Sequence, residues 1–517
     1  MQKNNDNQIV YPAYDGKDPQ TYVNQIMELL HHPPDLICRK LSLSANHYGY
    51  CIFIESLVDK NKIEHELLRY LSEGALHGEW NISGDLLNTL QDRIPISSVS
   101  VTADSQKCVQ SLLLGSCLLV ITGNIHILVI DTSQTPHRSI SQPLMESTIQ
   151  GPQEGFTEDI TSNLSLLRKR IKTVQFRIEE FIIGTETETK ICLLYLGDLA
   201  SIAVVDEFRK RISSIQIDCV LDSSYIEEWI EDKNLSLFPT LLKTERPDVL
   251  ASHLLEGRIG LIVDGTPDVL IGPVTFFQYF ISSEDYYQRP GFATLLRWLR
   301  VLSFMLSVFV PAIYIAVVSY HQELLPSPLL ISISAQREGV PFPAFIEASI
   351  MMVTFEVLRE ASLRMPRIAG QAISFVGALV LGQAAVEAGS VSASMVIVVA
   401  ITAISNFVVP FYSFGITQRL LHYFYMALAG FMGLFGILCG VLFIVVYLAS
   451  IKSFGVPYLS PVAPIFLADW KDILIRIPRP WMKTYPQMNQ TTNRKRKGRS
   501  LPLLIIARFS DYANYSD

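Results

Sequence analysis

The stretch VLSFMLSVFVPAIYIAVVSY, residues 301–320, holds twenty consecutive residues without a charge. On a helix rising about 1.5 Å per residue it reaches about 30 Å, the thickness of the hydrocarbon core of a bilayer. Pro311 inside it predicts a kink. Arg297 and Arg300 stand before it, and HQELLPSP, without Lys or Arg, follows it. Positive charge is kept on the inner side of a membrane, so this helix is expected to run from inside to outside. The chain before residue 290 is then expected in the cytosol. The opening MQKNNDNQIVYPAYDG agrees, because it lacks the basic and apolar regions of a cleavable signal peptide.

Working upstream, residues 1–290 mix charges, short apolar runs and turn residues in the proportions of a water-soluble chain. Residues 1–45 read as a polar lead-in. Residues 46–145 read as an α+β module. YGYCIFIESLV suggests a strand, and DKNKIEHELLRYL carries Ile63, Leu67, Leu68 and Leu71 at helical spacing behind Asp59 or Asn61. CLLVITGNIHILVIDT places two β-rich runs around Gly123-Asn124, a hairpin signal. After the linker GPQEGFTED, whose Thr157 is expected to begin a helix, residues 155–283 read as a second, α/β module. KICLLYLGDLA, IQIDCVLD and RIGLIVDGTPDVLIGP alternate there with helical DEFRKRI and SYIEEWIED. The two modules are candidates for relatives, though no clean period marks them as a repeat.

Downstream, residues 295–451 are expected to form a transmembrane helical domain of four to five spans. Windows 368–386, 388–418 and 423–451 are uncharged or nearly so. Segment 344–358 is short for a span and carries Glu347 and Glu356, so whether it crosses stays open. If it crosses, Arg359, Arg364 and Arg367 fall inside and the tail is left outside; if it does not, the tail returns to the cytosol and strands those arginines. The tail, 452–517, with the basic RKRKGR at 494–499, is expected on the cytoplasmic side. The fold class is thus multi-domain: a cytoplasmic α/β N-terminal region of two modules, then a polytopic α-helical membrane domain.

The composition, 49% hydrophobic and 18% charged, suits a chain partly dissolved in lipid. A formal net charge of −7 argues against a nucleic-acid partner. Seven cysteines occur without a CxxC pair, so neither a disulfide framework nor a zinc site is expected. His31 and His32 lack acidic or Cys neighbours at ligand spacing, and no metal or other cofactor is expected. No Walker, GxSxG or HExxH motif is present, and VDGTPD, 263–268, reads as a hairpin turn, so no enzyme is expected.

One helix is anomalous. In AISFVGALVLGQAAVEAGSV, 372–391, Val376, Leu379, Val380, Gln383 and Glu387 fall along one stripe, with Val386 beside it, while Ala378, Gly382, Ala385 and Gly389 fall along another. The small residues form a surface for close helix packing. A carboxylate at the bilayer centre costs about 2.5–3.5 kcal/mol unless it meets water or a partner. The polar stripe therefore suits the lining of a water-filled pore over 371–390, or else a hydrogen-bonded helix contact or a place for Gln383 and Glu387 in the headgroup zone. Glu347 and Glu356, nine residues apart, point to opposite sides, and Arg337 or Arg364 offers an ion-pair partner. Ser405 and Asn406 read as interhelical hydrogen-bond partners.

GPQEGFTEDITSNLSLLRKRI, TERPDVLASHLLEGRIGLIVDGTPDVLIGP, EDYYQRPGFATLLRWLR, GQAISFVGALVLGQAAVEAGSVSASMVIVVAITAIS and SFGVPYLSP together resemble the A subunit of the GerA-type spore germination receptors, over about residues 145–470. The resemblance implies a multi-pass protein of the spore inner membrane. It implies work with a transporter-like, nutrient-binding B subunit and a lipoprotein C subunit, and a homo-oligomeric ring whose helices form a nutrient-gated channel releasing monovalent cations. Within it, Tyr286, Tyr287, Arg289, Arg297 and Arg300 are expected to couple the soluble half to the first span. The family often carries a neutral residue where this chain has Glu387. A transporter component working by alternating access, or a non-conducting signalling scaffold, are the alternatives; the first predicts an internal inverted duplication.

Overall fold

The computed structural model of the chain describes residues 10–44, 47–76, 86–96, 98–133, 143, 146, 150–232, 236–366, 380–466, 469–482, 484–486 and 491. Two small sheets come first. The first module opens with helix α1 (Pro19–Leu29), started by Asp18, whose carboxylate takes the N–H groups of Gln20 and Thr21. Strands β1 (Leu36–Ser44) and β2 (His47–Ile54) follow, then a π-helical turn (Lys62–Leu68) running into α2 (Arg69–Leu76), and α3 (Leu86–Arg93). Strand β3 (Val99–Thr102), helix α4 (Ser105–Leu113) and the hairpin β4 (Ser116–Ile121) to β5 (Ile127–Asp131) complete it. The second module repeats this plan with α5 (Ile160–Arg170), β6 (Phe176–Ile183), β7 (Thr189–Leu196), α6 (Ile202–Ser213) and α7 (Ser223–Ile230). Then come β8 (Leu242–Thr244), α8 (Pro247–Leu254), β9 (Ile259–Val263) and β10 (Val269–Gly272).

The strand orders are β1-β2-β4-β5-β3 and β6-β7-β9-β10-β8, the same path through each sheet, with antiparallel pairing throughout. In each module the helix before the first strand and the helix before the fourth lie on one face. The helices between the second and third strands lie on the other. Alternation along the strands divides the core accordingly. Ile52, Ile54, Leu118 and Val120 meet α1 and α4, while Cys51, Phe53, Cys117 and Leu119 meet the π-helical turn, α2 and α3. Because both faces are covered, the central strands are apolar over long consecutive runs, such as Cys117–Ile121 and Ile191–Leu196, which hides the period-2 signal from the sequence.

Two expectations change here. The expected lead-in, 1–45, contains α1 and the edge strand β1, both integral to the first sheet. The shared topology of the two modules agrees with their being related, although no sequence period reveals it. Asp159, not Thr157, caps α5, accepting the Ser162 N–H. Between the modules, buried Asp35 accepts Arg168 Nε at 2.7 Å, Arg168 Nη2 at 2.6 Å and Ser56 Oγ at 2.7 Å.

A helical layer stands on the second module. Helix α9 (Pro290–Tyr320) leaves it and runs to the far end, here called the tip. Helix α10 (Ser327–Arg337) lies at the tip with no buried residue. Helix α11 (Ala344–Leu363) returns, with Phe345 against Gly430 at the tip and Glu356 against Arg419 near the base. Helix α12, described over residues 380–387, finishes at the tip. Helix α13 (Ala393–Asn406) descends from Ser392, beside Glu347, to Phe407, which lies under Arg359.

Helix α14 (Tyr412–Ser450) is two helices, not one. Gly433 breaks it at φ 64°, ψ −143°. The Phe424 and Phe443 rings lie 6.2 Å apart, whereas nineteen residues of straight helix would separate them by about 28 Å. The chain doubles back at the tip, where the Tyr320 hydroxyl donates to Gly430 O at 2.6 Å. Both feet of this hairpin reach the second module. Thr417 Oγ1 donates to Leu237 O at 2.7 Å, and the Tyr447 hydroxyl accepts the Leu237 N–H at 3.3 Å. A short β hairpin then seats the tail on the second module: Ser453 Oγ donates to Thr240 O, and Phe454 stacks on Phe208 at 3.7 Å.

The expected single window 423–451 is therefore mostly a tight turn and a returning helix. The doubtful segment 344–358 runs the layer's length within α11. The reversal at Gly433 brings the chain back to the soluble modules, where Ser453 and Phe454 seat the tail.

Candidate functional site

Two polar assemblies bracket the helical layer. The first lies at its base, where the second module hands the chain to α9. After β10, a 3-10 segment Phe276–Phe280 leads to a second, Ser283–Tyr286, opened by a capping box in which Ser282 and Asp285 satisfy each other's backbone N–H groups. That box fixes Asp285 in a fully buried position, where its carboxylate accepts Arg297 Nε at 2.9 Å and Arg300 Nη1 at 2.8 and 2.9 Å. Arg300 Nη1 also donates to Phe280 O at 3.1 Å. Arg297 and Arg300 lie one turn apart on α9 and so face the same partner.

A second acid comes from the tail. Arg297 Nη1 donates to Asp472 O, and the Tyr286 hydroxyl donates to Asp472 Oδ2 at 2.8 Å. The Tyr286 ring is enclosed by the guanidinium groups of Arg297, Arg476 and Arg479, 5.5, 5.6 and 5.3 Å from its centroid. Burial first, and then Asp472, hold the Tyr286 phenol well above its ordinary pKa. Tyr287 turns the other way and donates to Asp248 Oδ2 at 2.7 Å, where Arg246 also binds; burial and Asp248 push that phenol up to about 12. Of the residues expected to couple the halves, Tyr286, Arg297 and Arg300 meet around Asp285. Tyr287 is tied to the module alone, and Arg289 precedes α9 without a side-chain cap bond.

The second assembly lies at the tip. Glu347 is fully buried, and its Oε1 accepts both the Ser392 N–H and Ser392 Oγ at 2.6 Å. Arg337 Nε stands 3.7 Å from Oε2. One carboxylate thus pins α11 to the turn between α12 and α13. Glu356 binds instead near the base, to Arg419 at 3.2 Å and Arg359 at 3.8 Å. Arg364 pairs with Glu360, not with either acid. Ser405 and Asn406 are both buried.

The polar stripe on α12 ends at this turn. Val380, Gln383 and Glu387 are exposed on the chain, and Gln383 Nε2 donates to Glu387 Oε1 at 3.0 Å. Val386 and Ala385 are half-buried and Gly382 is buried, a Cβ there reaching Val396 at 3.5 Å. Val376, Ala378 and Leu379 lie outside the described residues. Gly389 is not on the helix face expected for it. The helix stops at Glu387, and Gly389 at φ 65° ends it, with its N–H on Val386 O and the Ser390 N–H on Ala385 O. This is a Schellman stop, which a glycine's freedom at positive φ supplies.

Asp285, Asp472 and Ser392 are the participants that sequence reading does not single out. The capping box Ser282-x-x-Asp285 is a readable signal for the first. Nothing local marks Asp472, which meets Arg297 across 175 positions, or Ser392, which meets Glu347 across 45.

Comparison with known proteins bears on this arrangement. The family profile described as Bacillus/Clostridium GerA spore germination protein matches residues 24–488. "Uncharacterized membrane protein YfkQ" of Bacillus subtilis (strain 168) is 43% identical over 448 residues, 86% of each chain. "Spore germination protein KA" of the same organism is 42% identical, over 86% of this chain and 81% of that one. "Spore germination protein GerLA" of Bacillus cereus is 38% identical, over 91% and 95%. A crystal structure of the N-terminal domain of the A subunit of the Bacillus megaterium spore germinant receptor GerK3 is 32% identical, covering 52% of this chain and 98% of that one, with a TM-score of 0.41.

Proposed function

The chain belongs to the GerA family of Bacillus/Clostridium spore germination proteins, and we propose that it is the A subunit of a nutrient-sensing germinant receptor that oligomerises in the spore membrane as a nutrient-gated cation channel. Relatives named as spore germination proteins A1 and B1 support its place in such a receptor, beside a transporter-like B subunit and a lipoprotein C subunit. No part of this reading requires enzymatic chemistry.

The membrane reading rests on surface chemistry. Helix α9, Pro290–Tyr320, is long and apolar enough to cross a bilayer, with only 50% of its apolar window buried within the chain; the two arms of the 412–450 hairpin are equally apolar, with 28% of their window buried. Phe431, Phe435, Leu438, Leu442 and Val446 face outward. Water would not tolerate so continuous an apolar surface, and lipid would. With the base toward the cytoplasm, α9 and the first arm of α14 run base to tip, and α11, α13 and the second arm of α14 run tip to base. The soluble modules and the tail then share one side.

The observation that carries the channel reading is the exposed row Val380, Gln383 and Glu387, beside exposed Leu381 and Ala384 on the same helix. Glu387 stands at the tip, and on a lone chain Gln383 and Val380 would reach one to two turns from it into the apolar layer. Sister subunits around a water-filled axis would remove the cost of Gln383 there. Val376, Leu379 and Val386 extend the same lining, and Ala378, Gly382 and Ala385 serve close packing against the neighbouring helix. Cysteine placed at Gln383 or Val386 should let a water-soluble thiol reagent block nutrient-triggered ion flux. If every position along 380–387 stays unreactive, the lining lies elsewhere.

A further inference from the structure

The base assembly encloses space that the channel reading leaves unused. Two adjoining cavities, of about 260 and 120 Å³, share Glu256, Gln278, Ile281, Tyr286 and Met482 in their walls. They lie where the second module, the foot of α9 and the returning tail meet. Around them, nitrogens of several side chains find no hydrogen-bond partner among the described residues: His253 Nδ1 on the wall, Arg258 Nε and Nη1, Arg297 Nη2, Arg476 Nε and Trp470 Nε1. His253, Arg258, Arg297 and Arg476 are each more than nine-tenths buried, at 8, 0, 1 and 6% exposure. Arg258 reaches the wall through Gln278, whose Oε1 accepts its Nη2. A buried donor left unpaired costs about 1–3 kcal/mol, more if charged. So many at one seam describe a site built for an acceptor-rich group.

Charge points the same way. Arg297 and Arg300 are balanced in number by Asp285 and Asp472, and Lys471 and Arg479 by the wall acids Glu256 and Asp469. Arg258 and Arg476 remain in excess. Burial, and then Arg258, hold the His253 imidazole well below its ordinary pKa, so at neutral pH it offers an N–H without adding charge. The wall also carries Trp481, 71% exposed, and the outer face of α9 beside it presents Leu295, Trp298, Leu299 and Leu302. The opening thus lies at the level where the chain passes from water to lipid.

The geometry points to a phosphate-binding site at this seam, with Lys471 and Arg479 at the mouth and His253, Gln278 and Arg258 at the floor. A phosphate presents three or four acceptor oxygens, which suits donors converging from several side chains better than the two of a carboxylate. The phosphate belongs either to a phospholipid headgroup or to a soluble compound, and both would lock the tail to the foot of α9.

The test uses the full chain, reading the fluorescence of Trp470 and Trp481. In detergent, inorganic phosphate is titrated against chloride at equal ionic strength. In nanodiscs, phosphatidylglycerol is titrated against phosphatidylcholine. A saturable response in the first arm assigns a soluble phosphate, and one only in the second assigns a headgroup. In either, the exposed-site double variant K471Q/R479Q should raise the midpoint about tenfold or more, and Arg258→Gln should do so without altering the mouth. No saturable response in either arm overturns the proposal. So does a chloride or phosphatidylcholine response of equal size, or a midpoint unmoved in both variants.

Discussion

Asp285 shows what one side chain can hold together. Fully buried between two guanidinium groups, it repays its desolvation only while both bonds stand. Asp285→Asn keeps the shape and removes the charge, leaving Arg297 and Arg300 short of an anion. We expect a loss of about 3–5 kcal/mol in the unfolding of the purified chain, the scale for breaking a buried pair. Loss below about 1 kcal/mol would show that water already reaches the cluster. His253 sets a pH dependence. Its folded pKa lies well below the model-peptide value of 6.5, so the unfolded chain binds the proton first as pH falls. Stability is therefore full above about pH 6.5 and declines below it, by up to about 1.4 kcal/mol per pH unit. His253→Gln should flatten the slope of melting temperature between pH 6.5 and 5.

At the scale of elements, the helix breaks carry the architecture. Gly433 adopts φ 64°, and a Cβ there would lie 2.8 Å from the His321 ring and 3.1 Å from Tyr320 Cβ. Gly433→Ala meets backbone strain and crowding together, each of order 1–3 kcal/mol. We expect the variant to melt lower and its hairpin amides to lose hydrogen-exchange protection at the tip first. Gly389→Ala tests the smaller stop after α12, where the neighbouring Gly339 O is 3.4 Å from the added carbon. There only the positive φ opposes the substitution, so about 1 kcal/mol is expected. Glu347→Ala should release the α12–α13 turn from α11. Its effect should fall on proton exchange at Ser392 and on flux gating before it falls on global melting.

At the scale of the molecule, the doubled α14 makes a statement about sides. In a background with Cys38, Cys219 and Cys439 replaced by serine, cysteines placed at Asp15 and Lys452 should be labelled from one face of sealed vesicles. One placed at Leu324 should be labelled from the other. Labelling of residue 452 from the face that reaches 324 would remove the hairpin. The sequence by itself determined the split at residue 290, the spanning length of 301–320, the Gly123 and Gly265 hairpin turns, and the kinship carried by its long motifs. These are local quantities: charge, run length, turn chemistry. It did not determine the shared path of the two sheets, since strands covered on both faces lose their alternation, nor that 412–450 is a hairpin, since one glycine in an apolar run does not announce a reversal. The partners of Arg297, Glu347 and Glu356 likewise waited on tertiary structure. Ser392–Glu347, Arg419–Glu356 and Arg297–Asp472 join positions 45, 63 and 175 residues apart, and only the packing of α9, α11, α13 and the tail brings them together.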